Sequence, residues 1–188
     1  MRYYDIEVAG TKRALKLCPI NQDLCIAAFL ILGDTELTVN CAAALLERAP
    51  KYDFLLTAEA KSIPLVQEMA RQNGDAHYIV ARKGRKLYMD NPICVGVKSS
   101  ITTEKDQKLY VDKEEMDQMR GKRILIVDDV ISTGRSLQAL EEIAAAAGAD
   151  VVGKMAVLAE GDAASRTDIS YLEKLPLFNA KGEPLPFD

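Results

Sequence analysis

The chain has no tryptophan, one histidine and four cysteines in 188 residues, and each scarcity removes a class of chemistry. Cys18, Cys25, Cys41 and Cys94 fall at no CxxC or metal-ligand spacing, so neither a zinc site nor a disulfide framework is supported. They read as small apolar core residues. The single histidine, His77, lies in DAHYIV at an expected strand start, so any histidine dyad or triad would rest on that one residue. No GxxxxGK(S/T) stretch occurs, which removes a Walker-type ATPase. No apolar run is long enough to span a bilayer, so no membrane association is expected. The opening MRYYDIEVAGTKRALKLCP lacks a basic stretch followed by an apolar core and a small-residue cleavage site, and a cytoplasmic location is the expectation. A formal charge of −4 and a pI near 5.2 leave no dense basic face for coating nucleic acid, so an anionic ligand must be held locally.

What is present is a soluble globular composition, 48% hydrophobic and 28% charged, at a length suited to one well-buried domain spanning 1–188. RYYDIEV and RALKLCP alternate on either side of Gly10, as a peripheral hairpin does. ELTVNCAAALLERA places Leu37, Cys41, Ala44 and Leu45 on one helical face, with Asp34 or Thr35 as N-cap and Pro50 beyond the end. A rhythm follows: the apolar run YDFLLTA, the helix IPLVQEMARQNG closed by Asn73 and Gly74, and the apolar run AHYIVARK. Strand, helix, strand with short connections is a βαβ unit, joined by a right-handed crossover. Two alternating stretches around a polar centre then interrupt it, as a long hairpin lid does. The rhythm resumes with KRILIVDD, STGRSLQALEEIAAAAGA and VVGKMAVLAE. The tail YLEKLPLFNAKGEPLPFD carries three prolines and reads as an irregular flap. The expected fold is α/β, a mainly parallel sheet with helices on both faces. Its core covers about 35–160, with hood and flap elements from 1–34, 95–112 and 165–188.

ILIVDDVISTGRS holds the chemistry. In an open parallel sheet, ligands bind beyond the carboxyl ends of the strands, and Asp128 and Asp129 sit at one such end. The turn after them contains Ser132, Thr133, Gly134 and Ser136 and opens a helix, whose free N–H groups and positive dipole end make an anion site. Acids and anion cradle lie three residues apart, so one ligand can offer hydroxyls to the first and a monophosphate to the second. A ribose 5-phosphate has that layout. The bland alternative makes Asp128 a turn former and Ser132 or Thr133 an ordinary N-cap, but capping explains neither the second acid nor the hydroxyl-rich turn.

This stretch resembles the phosphoribosyl-pyrophosphate (PRPP) signature of the type I phosphoribosyltransferases: four hydrophobic residues, two acids and a T-G turn, in that order. The resemblance implies that Asp128 and Asp129 bind the ribose hydroxyls, while Ser132, Thr133, Gly134, Arg135 and Ser136 bind the 5-phosphate. LLTAEAKSIPL is similar to the family's pyrophosphate loop, assigning Ala60, Lys61 and Ser62 to the leaving group. The resemblance also implies a non-proline cis peptide within Glu59-Ala60-Lys61. IVARKGRKL is similar to the strand end of adenine and xanthine enzymes, which places Arg82, Lys83 and Lys86 near the pyrophosphate. The segment from Val97 to Val111 corresponds to the hood that closes over the substrates.

Three positions depart from the adenine pattern. Arg135 stands where a second glycine is usual, Lys61-Ser62 replace Arg-Gly, and the hood lacks Glu-Tyr-Gly, although Glu104 is nearby. The implied function is purine salvage, transfer of the phosphoribosyl group from PRPP to a purine, with Asp128, Asp129, Lys61 and Arg82 as the catalytic set. Mg2+ would be held through pyrophosphate oxygens and water, with no dedicated protein ligands, and the chain would form a homodimer. Adenine is favoured on overall motif likeness. The alternatives are xanthine or another 6-oxopurine, a pyrimidine, or a non-catalytic PRPP sensor.

Overall fold

The structure, a computed structural model, describes residues 1–97 and 107–187. Eleven strands and four α-helices occur among them. The central sheet is parallel throughout, in the order β10 (Ser170–Leu175), β9 (Asp150–Glu160), β8 (Arg123–Ile131), β4 (Phe54–Ala58), β5 (Ile79–Ala81). An antiparallel sheet, β1 (Tyr3–Val8), β2 (Thr11–Pro19), β3 (Leu24–Ala28) and β11 (Phe178–Asn179), packs against one side. The expected α/β class and parallel sheet are therefore present.

β8 occupies the middle of the sheet because its aliphatic run has two apolar faces to bury. Leu125 and Val127 enter a core shared with β1 to β3, α1 (Thr35–Leu46) and α2 (Ile63–Asn73). Ile124 and Ile126 enter a second core beneath α3 (Lys113–Met119) and α4 (Arg135–Ala147). All four side chains are fully buried, so helices cover both faces. α1 starts at Asp34, whose carboxylate accepts the Leu37 N–H. α2 carries Pro64 in its first turn and ends on Gly74 at φ 77°, a left-handed conformation that suits glycine.

Several expectations change. The tail is not an irregular flap: β10 is an edge strand of the central sheet, and β11 seals the antiparallel sheet. Leu175 and Phe178 are buried, so pairing and apolar burial together outweigh the prolines. The amino-terminal hairpin gains a third strand, β3, whose Cys25 and Ala27 alternate inward. Helix α3 went unread, although Asp112 and Glu115 form a capping box that DKEE displays in sequence. In α1 the buried set is Leu37, Thr38, Cys41, Ala42 and Leu45; Ala44, expected among them, is only half-buried. Cys25 and Cys41 are buried as expected, whereas Cys94 is exposed on the outer side of its two-stranded ribbon.

That ribbon pairs β6 (Ile93–Val97) with β7 (Gln107–Val111) in antiparallel register. It is the base of the expected hood. Residues 98–106 of the expected hood, including Glu104, lie outside the described residues. Among the described residues, no helix is long and apolar enough to cross a membrane.

Candidate active site

The neighbours of β8 part company beside the acids. On one side, β9 stays paired as far as Ile131. On the other, β4 pairs only up to Leu56 opposite Ile126; its chain turns away through a cis Glu59–Ala60 peptide and enters α2 at Ser62. A crevice opens there. Asp128 and Asp129 thus lie within a strand that has lost one partner, not at its end as the sequence implied.

Ser62 fills the place of the missing strand. Its Oγ accepts the Asp129 N–H at 3.0 Å and donates to Asp128 Oδ1 at 2.5 Å. The Asp129 N–H is also shared with Asp128 Oδ1 at 2.9 Å, so a buried backbone donor is satisfied without a ladder. Lys61 Nζ lies 3.0 Å from Asp129 Oδ2, a half-exposed ammonium against a carboxylate that is almost wholly buried. Burial first, and the charge of Asp129 second, push the Asp128 carboxyl up to about 7, against the donation from Ser62. Two adjacent acids sharing one desolvated corner resist double ionisation.

Two cavities meet at these residues. One is lined by Ala60, Lys61, Ser62, Lys83 and both acids, the other by Ser132, Thr133, Gly134, Arg135 and Asp128, and Ser136 borders both. The loop, the acid pair and the turn therefore face one continuous crevice. Arg82 and Lys86 come to its edge through Glu59, whose Oε1 is 4.0 Å from Arg82 Nη1 and 3.8 Å from Lys86 Nζ. Glu59 Oε2 accepts the Lys83 N–H at 2.8 Å. The backbone of Arg82 exchanges two hydrogen bonds of 2.8 Å with Tyr110 of β7, so the hood base is fastened to the basic strand end.

The turn shows why a plain capping reading fails. The N-cap of α4 is Gly134 at φ 75°, and no side chain caps the helix. The first N–H groups of α4 are left for another acceptor. No acidic residue lies in the first turn of α4, although such ends ordinarily favour acids.

Sequence reasoning missed Glu160. It ends β9 beside the turn, and burial pushes its carboxyl above the ordinary range while the Ser132 hydroxyl and the Lys61 charge pull it down. The signal was available, since VLAE also ends a parallel strand in an acid. His77 is exposed, edge-on to Phe54 at the opposite end of β4, away from the crevice.

A family model described as phosphoribosyl transferase domain matches residues 39–174. The chain belongs to that family. Among curated relatives, a xanthine phosphoribosyltransferase of Bifidobacterium adolescentis is 30% identical over 64% of this chain and 62% of its own length. A hypoxanthine/guanine phosphoribosyltransferase of Methanococcus voltae is 32% identical over 61% of this chain and 56% of its own length. The matched stretch thus spans less than two thirds of either relative. Among solved structures, adenine phosphoribosyltransferase from Thermoanaerobacter pseudethanolicus superposes with a TM-score of 0.69 at 18% identity, covering 85% of this chain and 95% of that one. That likeness shows a shared phosphoribosyltransferase fold.

Proposed function

We propose that this chain is a purine phosphoribosyltransferase that moves the 5-phosphoribosyl group from PRPP to a ring nitrogen of a 6-oxopurine. The reaction yields a nucleoside monophosphate and pyrophosphate. One observation carries the reading: Ser62 joins the expected pyrophosphate loop to the acid pair, while Asp128 also lines the uncapped turn. Ribose hydroxyls, leaving group and 5-phosphate of one PRPP molecule each meet complementary chemistry in one crevice.

In this reading Asp128 and Asp129 orient the ribose and face the positive charge that grows on it as the bond to pyrophosphate stretches. Lys61, Ala60 and Ser62 hold the leaving group, with Arg82, Lys83 and Lys86 behind them. The contribution is positioning and preset charge, since the chain supplies no covalent intermediate. Mg2+ fits this donor set. Among the described residues no three metal-ligating side chains converge, so an ion here would be held mainly by pyrophosphate oxygens and water. When bound, it neutralises charge on the leaving group. The ribbon β6–β7, bonded to the basic strand end through Arg82 and Tyr110, is in this reading the base of a hood that excludes water.

The names of the curated relatives support a 6-oxopurine, whereas adenine rests on overall motif likeness. The test supplies PRPP and Mg2+ with hypoxanthine, guanine, xanthine, adenine, uracil or orotate and measures pyrophosphate release. Turnover with a 6-oxopurine at least tenfold above adenine supports the proposal. Turnover with adenine alone replaces the base, and PRPP binding without turnover on any base makes the chain a sensor.

A further inference from the structure

Arg166, just beyond the short 3-10 helix Gly161–Ser165 that follows β9, reaches back to the phosphate turn. A Cβ added at Gly134 would collide with Arg166 Nη1. The guanidinium therefore occupies the space that any other residue at 134 would need. Its other two nitrogens are committed: Nε donates to Asp168 Oδ1 at 2.9 Å and Nη2 to Asp168 Oδ2 at 2.7 Å. Asp168 also receives Lys154 Nζ at 2.6 Å, and Lys154 bonds Glu141 of α4 at 2.9 Å. This bidentate clamp holds the guanidinium plane and leaves Nη1 as the edge presented to Gly134.

Asp168 and Glu141 stabilise the Arg166 charge where it sits, but neither carboxylate lies in the first turn of α4. Gly134 is the N-cap of α4, and Arg135 is that helix's first residue and lines the cavity of the turn, so both arginines add positive charge at the positive end of a dipole with no acid in its first turn. A dianion in the turn is attracted by each of these positive groups. A monoanion gains about half as much from each fixed charge.

We propose that Arg166 is a positioning residue for the phosphate monoester. Its clamped guanidinium braces the Gly134 turn and adds positive charge that makes the site favour the doubly ionised monoester over the singly ionised one. The inference rests on the phosphoribosyl reading of that turn. It deepens that reading by naming a residue outside the signature and the ionisation state it selects.

The test is calorimetric titration of the full chain with ribose 5-phosphate at pH 8 and pH 5, on either side of the second phosphate ionisation near 6. Wild type, Arg166→Gln and Arg166→Lys are compared, with pyrophosphate as the control ligand. At pH 8, R166Q is expected to weaken ribose 5-phosphate binding about tenfold, the scale of one charge-assisted hydrogen bond. R166K is expected to lose under threefold. At pH 5 the gap between wild type and R166Q should shrink to under threefold, and pyrophosphate affinity should hold in all three proteins. Asp128 titrates alike in each, so the ratio of affinities isolates Arg166. An equal loss at both pH values, or an equal loss for pyrophosphate, would reduce Arg166 to a structural prop and overturn the proposal. So would unchanged binding by R166Q. A folded wild type that binds pyrophosphate but no ribose 5-phosphate sinks the phosphoribosyl reading of the turn, and this inference with it.

Discussion

Ser62 Oγ stands 2.5 Å from Asp128 Oδ1 across 66 positions of chain, and that single hydroxyl links the loop after β4 to the acid pair of β8. It donates to one acid and accepts the backbone N–H of the other. The residue that begins α2 therefore sets the separation between the expected leaving-group site and the ribose site.

Replacing that hydroxyl tests the link. Ser62→Ala leaves the Asp128 carboxylate without its donor at a buried corner, a loss of about 1–2 kcal/mol. The expected result is a Tm lower by a few degrees and a pyrophosphate-release rate at least tenfold down. Thermal melts and turnover measured on the same preparation check both.

Asp128 sets a pH dependence of stability in the free protein. Its folded pKa lies above the unfolded value because burial and Asp129 favour the protonated form. The native state therefore binds the proton more tightly, and this contribution is fully present below the ordinary carboxylate pKa of about 4. It is lost as pH rises through about 7. Asp128→Asn should raise the Tm of the ligand-free chain at pH 8, leave it nearly unchanged at pH 4, and abolish turnover. An unaltered Tm at pH 8 would contradict the assigned burial.

Gly134→Ala combines two penalties, a φ of 75° and the collision with Arg166. The expected cost is about 1–2 kcal/mol of stability. Ribose 5-phosphate affinity should fall more than tenfold, read by titration calorimetry. Full affinity in a well-folded G134A protein would show that the turn tolerates a side chain and does not hold the phosphate tightly.

Asp34 provides a contrast remote from the crevice. It caps α1 and takes Arg13 Nε at 2.6 Å and Nη2 at 2.8 Å, fastening β2 to the helix. The Arg13 hydrogen bonds hold its carboxyl below the ordinary range. This stabilisation is present above the unfolded carboxylate pKa and fades as pH falls through the lowered folded value. Asp34→Ala is expected to cost about 1–2 kcal/mol at pH 7, less at pH 2, with turnover unaffected. Denaturant melts at the two pH values, alongside a rate assay, measure it.

Local pattern was enough for the main elements. The aliphatic run of β8, the 3.6-residue period of α2 and α4, and the glycines at their ends are read within a dozen neighbouring residues, because burial and helix termination act locally along the chain. The signature residues from Ser132 to Ser136 are contiguous, so their shared cavity was legible too. The tail was not, because β10 is a strand only in the presence of β9. Apolar alternation in so short a segment does not reveal which edge it will join. Arg82 and Lys86 were legible as a basic cluster, but not as groups gathered by Glu59.

By itself, then, the sequence determined the α/β class, the acid pair with the hydroxyl-rich turn after it, and the family. The tertiary structure alone decided that β4 breaks away from β8 at Leu56, that Ser62 takes its place against Asp128 and Asp129, and that Arg166 lies on Gly134. These are contacts between residues more than thirty positions apart. No local periodicity encodes them, because they follow from which strands become neighbours and where one of them stops pairing.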